Sequence, residues 1–274
     1  ADIVEYLTSL FHKGYQHRMI NSHRSAISAF HNQVEGHAVG KHPTISQLIA
    51  GVFNERPTQP RYQCTWDVSV VLHYLEELGI NNNLSDRSLT LKVCMLLALT
   101  SGARSSDLRA LDVRFMSISE ESVTFSLSAL TKHRRVGSSV PEVHFSSYKE
   151  NDLLCVVKCL HVYLGRSSNW RNRTDGERNQ LLLSFKEPHK QVVSCTIAGW
   201  LTKIMSEAGI DTEVFKAHSV RAASTSKAAS VAIPIEQIME RANWTKASTF
   251  KKFYRREITS GVKGQTYQSA ILKL

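Results

Sequence analysis

A chain of 274 residues, 42% of them hydrophobic, can bury one large core or two smaller ones, and it carries 34 Lys and Arg against 24 Asp and Glu for a formal net charge of +10. That balance points to a phosphate-bearing partner, nucleic acid or another anionic surface. The longest apolar run, "VCMLLAL" at residues 93–99, is far short of the roughly 20 residues that cross a bilayer, so no membrane-spanning helix is expected.

Residues 1–56 read as three helices, "DIVEYLTSLFHKG", "MINSHRSAISAFHNQV" and "TISQLIAGVFNER", with apolar residues near the 3.6-residue period and glycine or proline stop signals. The stretch "RPTQPRYQ", Arg56 to Gln63, holds two of the six prolines and little apolar mass. It is expected to link a small helical unit, residues 1–57, to a larger one, residues 58–274. "WDVSVVLHYLEELG" and "SLTLKVCMLLALTSG" are expected as core helices, the second opened by Ser85 or Asp86 and closed at Gly102. From Phe115 to Phe145 the pattern shortens to alternation in "SVTFSLSAL" and "VPEVHFS", joined by the basic turn "KHRRVG", which predicts a small antiparallel sheet. Helices resume with "LLCVVKCLHVYLGR", "TIAGWLTKIMSEAG", "HSVRAASTSKAAS" and "IEQIMERAN", and residues 167–180 between the first two read as a polar loop. The expected fold class is mainly α with a small antiparallel sheet. The five cysteines, Cys64, Cys94, Cys155, Cys159 and Cys195, are odd in number and lack CxxC or paired Cys/His spacing, which fits reduced thiols inside a cell better than disulfides or zinc.

Near the C-terminus, "STFKKFYRREI" sets Tyr254 among Lys251, Lys252, Arg255 and Arg256. Alone, such a stretch is more often a solvated helix face than a site. Arg104 follows the helix ending "LALTSGAR", with Asp107 three residues on, either orienting its guanidinium or only capping a helix. A guanidinium suits phosphate because its planar fork donates two parallel hydrogen bonds and stays charged. "AHSVRAAS" puts His218 and Arg221 three apart, on one helix face, a weak motif by itself. "IPIEQIMERANWTKASTFKKFY" then supplies Trp244 and, ten residues later, Tyr254. Lys132 lies in the expected turn with His133, Arg134 and Arg135, either one solvated charge among several or an ammonium that reaches a DNA groove and donates a proton.

In order, Arg104, Lys132, His218, Arg221, Trp244 and Tyr254 resemble the site of the tyrosine recombinase (phage integrase) family. "TSGARSSDLRAL" is similar to the family's first arginine motif and "HSVR" to its HxxR box; Trp244 stands where the family has His or Trp, and "FKKFYRRE" places the tyrosine. The run "HSVRAASTSKAASVAIPIEQIMERANW" resembles the Cre-like catalytic domain in pattern and length, and "KASTFKKFY" resembles the endings of DIRS-like and Ngaro-type retrotransposon recombinases. The likeness covers residues 60–258 well and residues 1–56 loosely, as an incomplete helical core-binding domain.

The resemblance implies a site-specific recombinase or integrase of a mobile element, cleaving and rejoining double-stranded DNA through a covalent 3′-phosphotyrosyl intermediate. It implies no metal, ATP, other cofactor or small-molecule substrate. Tyr254 is the implied nucleophile; Arg104 and Arg221 clamp the non-bridging oxygens; Lys132 protonates the leaving 5′ oxygen. His218 assists proton transfer, Trp244 hydrogen-bonds the phosphate and packs the tyrosine segment, and Asp107 supports Arg104. Arg134, Arg135, Lys251, Lys252, Arg255 and Arg256 are DNA-binding candidates. A homotetramer on paired sites and an intracellular place follow, nuclear if the source is a eukaryotic mobile element. The rival readings are type IB topoisomerase-like nicking and closing and a catalytically silent, domesticated DNA-binding protein. The tail "VKGQTYQSAILKL" either docks on a neighbouring subunit or is disordered.

Overall fold

The computed structural model describes residues 2–57, 64–127, 142–173, 176–244, 247, 250 and 256–259. Its chain divides into two units, Ala1–Arg61 and Tyr62–Leu274. The first holds α1 (Asp2–His12), α2 (His17–Phe30) and α3 (Pro43–Glu55). Asp2 and Glu5 sit in the first turn of α1 and His12 in its last, matching the helix dipole, and Pro43 opens α3 where its missing N–H costs nothing. Leu7, Leu10, Ile20, Val39, Ile45, Ile49 and Val52 form this unit's own core.

One expectation changes here. α2 stops at Phe30 rather than continuing to Val34, because Val34 and His37 exchange backbone hydrogen bonds at 2.9 Å around Glu35 (φ 51°) and Gly36 (φ 76°). Two consecutive positive φ values make a tight hairpin turn that ends any helix. Arg56, where the linker stretch begins, is tied to the first unit. Its guanidinium donates to the carbonyls of Phe11 (2.8 Å) and Tyr15 (3.2 Å) and lies 4.0 Å over the Phe11 ring.

In the second unit, β1 (Cys64–Trp66) precedes α4 (Val68–Glu77), α5 (Asp86–Ser101) and α6 (Ser105–Arg109). The Asp67 carboxylate caps α4 by accepting from the Ser69 N–H, and the Ser85 hydroxyl caps α5 by accepting from the Ser88 N–H, which decides between Ser85 and Asp86. α5 is buried on nearly every face, from Leu89 to Leu99, as its almost unbroken apolar sequence requires. Around it pack α7 (Val156–Arg171) and α8 (Ser194–Glu207), with Leu75, Met95, Leu97, Tyr163, Ile197 and Leu201 in the shared core.

The expected sheet is present as β2 (Met116–Ile118), β3 (Ser122–Ser126) and β4 (Glu142–Ser146), all antiparallel, with Val123 opposite Phe145 and Thr124 opposite His144. Val123, Phe125 and Phe145 turn inward, as the alternation predicts. The stretch read as a loop at residues 167–180 is instead helical through Arg171, because Ser167 and Trp170 are buried and Arg171 donates to the carbonyls of Arg178, Gln180 and Leu181. A short antiparallel pair, β5 (Asn172–Arg173) and β6 (Gly176–Glu177), follows. α9 (Ser219–Ser230) and α10 (Ile235–Arg241) come next, and β7 (Glu257–Thr259) returns to pair in parallel with β1. Among the described residues no helix is long and apolar enough to cross a membrane, and the five cysteines are free thiols.

Candidate active site

The end of α5 sets the first part of the site. Gly102 adopts φ 59°, the left-handed conformation that closes a helix without a Cβ penalty, and turns its carbonyl toward α9. Two residues on, Arg104 stands at the N-terminus of α6 with extended backbone. Its N–H donates to the Asp107 carboxylate at 2.9 Å, while the two side chains, each half-buried, stand 3.8 Å apart. Asp107 therefore holds the Arg104 backbone by a short hydrogen bond and its guanidinium only by a loose ion pair.

α9 supplies the second part. His218 is its capping residue and is exposed; Arg221 lies one turn later and is almost completely buried. A guanidinium cannot shed its charge, so burial demands partners. Arg221 donates to the Gly102 carbonyl at 2.5 Å and to the Ala242 carbonyl, and its guanidinium carbon lies 4.4 Å over the Trp244 ring. These bonds fix the plane of the fork.

The third part follows α10. Asn243 takes φ 51°, the Trp244 N–H donates to the Met239 carbonyl (2.8 Å) and the Asn243 N–H to the Glu240 carbonyl (3.0 Å). This paired pattern is a Schellman closure with asparagine standing where glycine is commonest. It delivers Trp244 into a small apolar cluster with Ile238, Ala242 and the fully buried Phe250, whose ring lies 5.5 Å from the indole at 31°.

Arg221 thus draws together the segments bearing Arg104, His218 and Trp244. Lys132, Arg134, Arg135, Lys251, Lys252, Tyr254 and Arg255 lie outside the described residues. The chain on either side of Tyr254 is tied down: Phe250 is buried against Trp244, the Arg256 N–H donates to the Ser226 hydroxyl at 3.0 Å, and Glu257 opens β7. β1, in turn, is joined to the start of α9 by a 2.9 Å bond from the Trp66 indole to the Ser219 hydroxyl. Ser219, Gly102 and the three-residue strands carry no motif signal beyond the glycine itself. Among the described residues no group of three or more His, Cys, Asp or Glu is arranged to hold a metal.

A model described as "Phage integrase family" matches residues 71–259. No curated protein sequence matches the chain. Among solved structures, the integrase of transposon Tn1549 bound to transposon right-end DNA is similar, with a TM-score of 0.63 at 12% identity over 98% of this chain and 82% of that one. The XerH site-specific recombinase in a post-cleavage complex with a palindromic difH substrate has a TM-score of 0.59 at 13% identity over 90% of this chain, which spans 65% of the XerH chain. A lambda integrase dimer bound to a COC′ core site has a TM-score of 0.50 at 13% identity over 97% of this chain and 82% of that one.

Proposed function

The chain belongs to the phage integrase family of enzymes that cleave and rejoin DNA, and from that premise we propose that it is a site-specific recombinase acting through a covalent 3′-phosphotyrosyl intermediate on Tyr254. The single observation that carries this reading is the buried Arg221, bonded to the Gly102 and Ala242 carbonyls under the Trp244 ring, at the meeting point of the three motif segments. A charge that costly to bury, with its fork held in one plane, suits a phosphate whose negative charge grows in the transition state.

In this reading the Tyr254 oxygen attacks the scissile phosphorus in line, a new P–O bond forms, and the P–O5′ bond breaks. The phenol gives up its proton to neighbouring groups, and Lys132 donates one to the departing 5′ oxygen. Arg104 and Arg221 hold the non-bridging oxygens; His218, exposed and three residues before Arg221, aids proton transfer; Trp244 positions the tyrosine segment through Phe250. Attack by a 5′ hydroxyl from another strand reverses the step and joins the DNA without ATP.

Residues 1–57 act as a core-binding domain and residues 58–274 as the catalytic domain with its tail, and paired sites assemble a homotetramer. The ending "KASTFKKFY" supports a retrotransposon branch of DIRS-like or Ngaro-type, hence integration of a mobile element and a nuclear place of action. The test is adduct formation on a nicked suicide duplex, followed by peptide mapping. The parent protein is expected to trap DNA on Tyr254, and Tyr254→Phe to bind DNA without an adduct. An adduct on Tyr267, or one formed by Tyr254→Phe, overturns the assignment.

A further inference from the structure

Two guanidiniums of the second unit close a ring around the junction of α5 and α10. Arg221 donates to the Gly102 carbonyl, just past the end of α5, and to the Ala242 carbonyl, just past the end of α10. Arg241 is the last residue of α10 and the neighbour of Ala242, and its Nε–H donates at 2.9 Å to the Thr100 carbonyl, two residues before Gly102. Thr100 is in the last turn of α5, where carbonyls lack helical partners and the negative end of the helix dipole favours a cation. A second N–H of Arg241 donates to the His144 carbonyl of β4, and the group lies 5.2 Å from the centre of the Phe145 ring, which seats it on the sheet as well as on α5.

The ring runs from Thr100 through Gly102 to the Arg221 fork, on to Ala242, and back through Arg241 to Thr100. Beside it a cleft of about 420 Å³ opens, with Thr100, Gly102, Arg241 and Ala242 among its walls, so on that side hydrogen bonds rather than packed side chains join the two helix ends. The two acceptors of Arg221 sit on different helices, and a planar fork is only as well placed as the two carbonyls it spans. The bond from Arg241 to Thr100 ties together the two chain ends that carry those carbonyls.

We propose that Arg241 is a positioning residue for Arg221: by tying α10 to the end of α5 it sets the span of the Gly102 and Ala242 carbonyls, and so the plane in which Arg221 meets phosphate. Its effect on the reaction is exerted through Arg221. The inference rests on the reading of Arg221 as a clamp on the non-bridging oxygens and adds what holds that clamp in register.

The experiment is a double-mutant cycle of single-turnover cleavage by the full chain, with protein in saturating excess over a nicked suicide duplex that the parent cleaves. Far-ultraviolet circular dichroism checks that each variant is folded at the assay temperature. Arg221→Lys is expected to slow cleavage by roughly 10²–10³-fold, the scale of one lost transition-state donor. Arg241→Ala should slow it by roughly 10²-fold, the scale of a catalytic group displaced by about 1 Å. Groups that act as a unit are not additive, so the double variant should cleave within roughly threefold of Arg221→Lys. A merely structural loss would instead multiply the two factors, to roughly 10⁴-fold or more. If Arg221→Lys cleaves like the parent, Arg221 is not the clamp and the inference falls with that reading. If Arg221→Lys is slowed but Arg241→Ala is not, or the two factors multiply, the positioning role alone is refuted. Arg241→Lys, a point donor that reaches one of its two carbonyls at a time, carries the cycle if Arg241→Ala fails to fold. A smaller slowing that vanishes in the Arg221→Lys background is then expected, and one that persists there refutes the role.

Discussion

Replacing Arg221 by lysine preserves the charge and the apolar stem but removes the planar fork, and the structure sets what that costs. The guanidinium spans the Gly102 and Ala242 carbonyls while lying 4.4 Å over Trp244. A lysine ammonium is a point donor that satisfies one of these carbonyls at a time. Losing one hydrogen bond from a charged donor costs about 1.5–3 kcal/mol. Weakening the stack on the indole adds about 0.5–1 kcal/mol. Because both contacts share one group they do not add in full, so the expected net loss is about 1.5–3.5 kcal/mol, below the simple sum. Arg104→Lys is the internal control, since that side chain is 27% exposed and stands 3.8 Å from Asp107; its loss should be at most about 1 kcal/mol. The assay is urea unfolding of both variants without DNA, followed by tryptophan fluorescence and far-ultraviolet circular dichroism. Arg221→Lys should shift the midpoint well below those of the parent and Arg104→Lys. Equal midpoints for all three proteins would refute the view that Arg221 is a structural clasp. The practical consequence is that lost cleavage in an Arg221 variant reports on chemistry only after its folding has been checked.

Two further outcomes follow from local geometry. Asn243 holds φ 51° in the closure that delivers Trp244, so Asn243→Gly should stabilise the protein by about 0.5–1 kcal/mol and Asn243→Val destabilise it by about 1–2 kcal/mol, read as opposite shifts in thermal midpoint; shifts of the same sign refute the strain argument. Burial works against the Glu207 charge, but hydrogen bonds from Arg87 (2.9 Å) and Tyr74 (2.8 Å) hold its carboxyl below the usual value. A depressed folded-state pKa stabilises fully above the unfolded value and fades as pH falls through the folded one. The stability gap between the parent and Glu207→Gln should therefore narrow below about pH 4.5, and a gap unchanged with pH contradicts it.

The amino-acid sequence by itself determined the elements whose signals are local. The apolar fill of α5, its closure at Gly102 and its opening at Ser85 or Asp86 are written within a few residues of each end, because capping and helical periodicity depend on neighbours three or four positions apart. The strand alternation around Val123 and Phe145 is equally local, and the order of Arg104, Lys132, His218, Arg221, Trp244 and Tyr254 was visible as a pattern of residue types. Tertiary structure decided what has no periodic trace. The parallel pairing of Cys64–Trp66 with Glu257–Thr259 joins three-residue strands from opposite ends of the second unit, too short to show an alternation. α7 runs on to Arg171 through polar sequence because Trp170 is buried and Arg171 finds carbonyls beyond Arg178. The arginines show the division most clearly. Nothing in "HSVR" says that Arg221 is fastened to Gly102 and Ala242, and nothing in "IMERAN" says that Arg241 fastens α5 to β4. A guanidinium takes whatever carbonyls the folded chain brings to it, and backbone carbonyls are the same in every residue, so only the fold selects the partner.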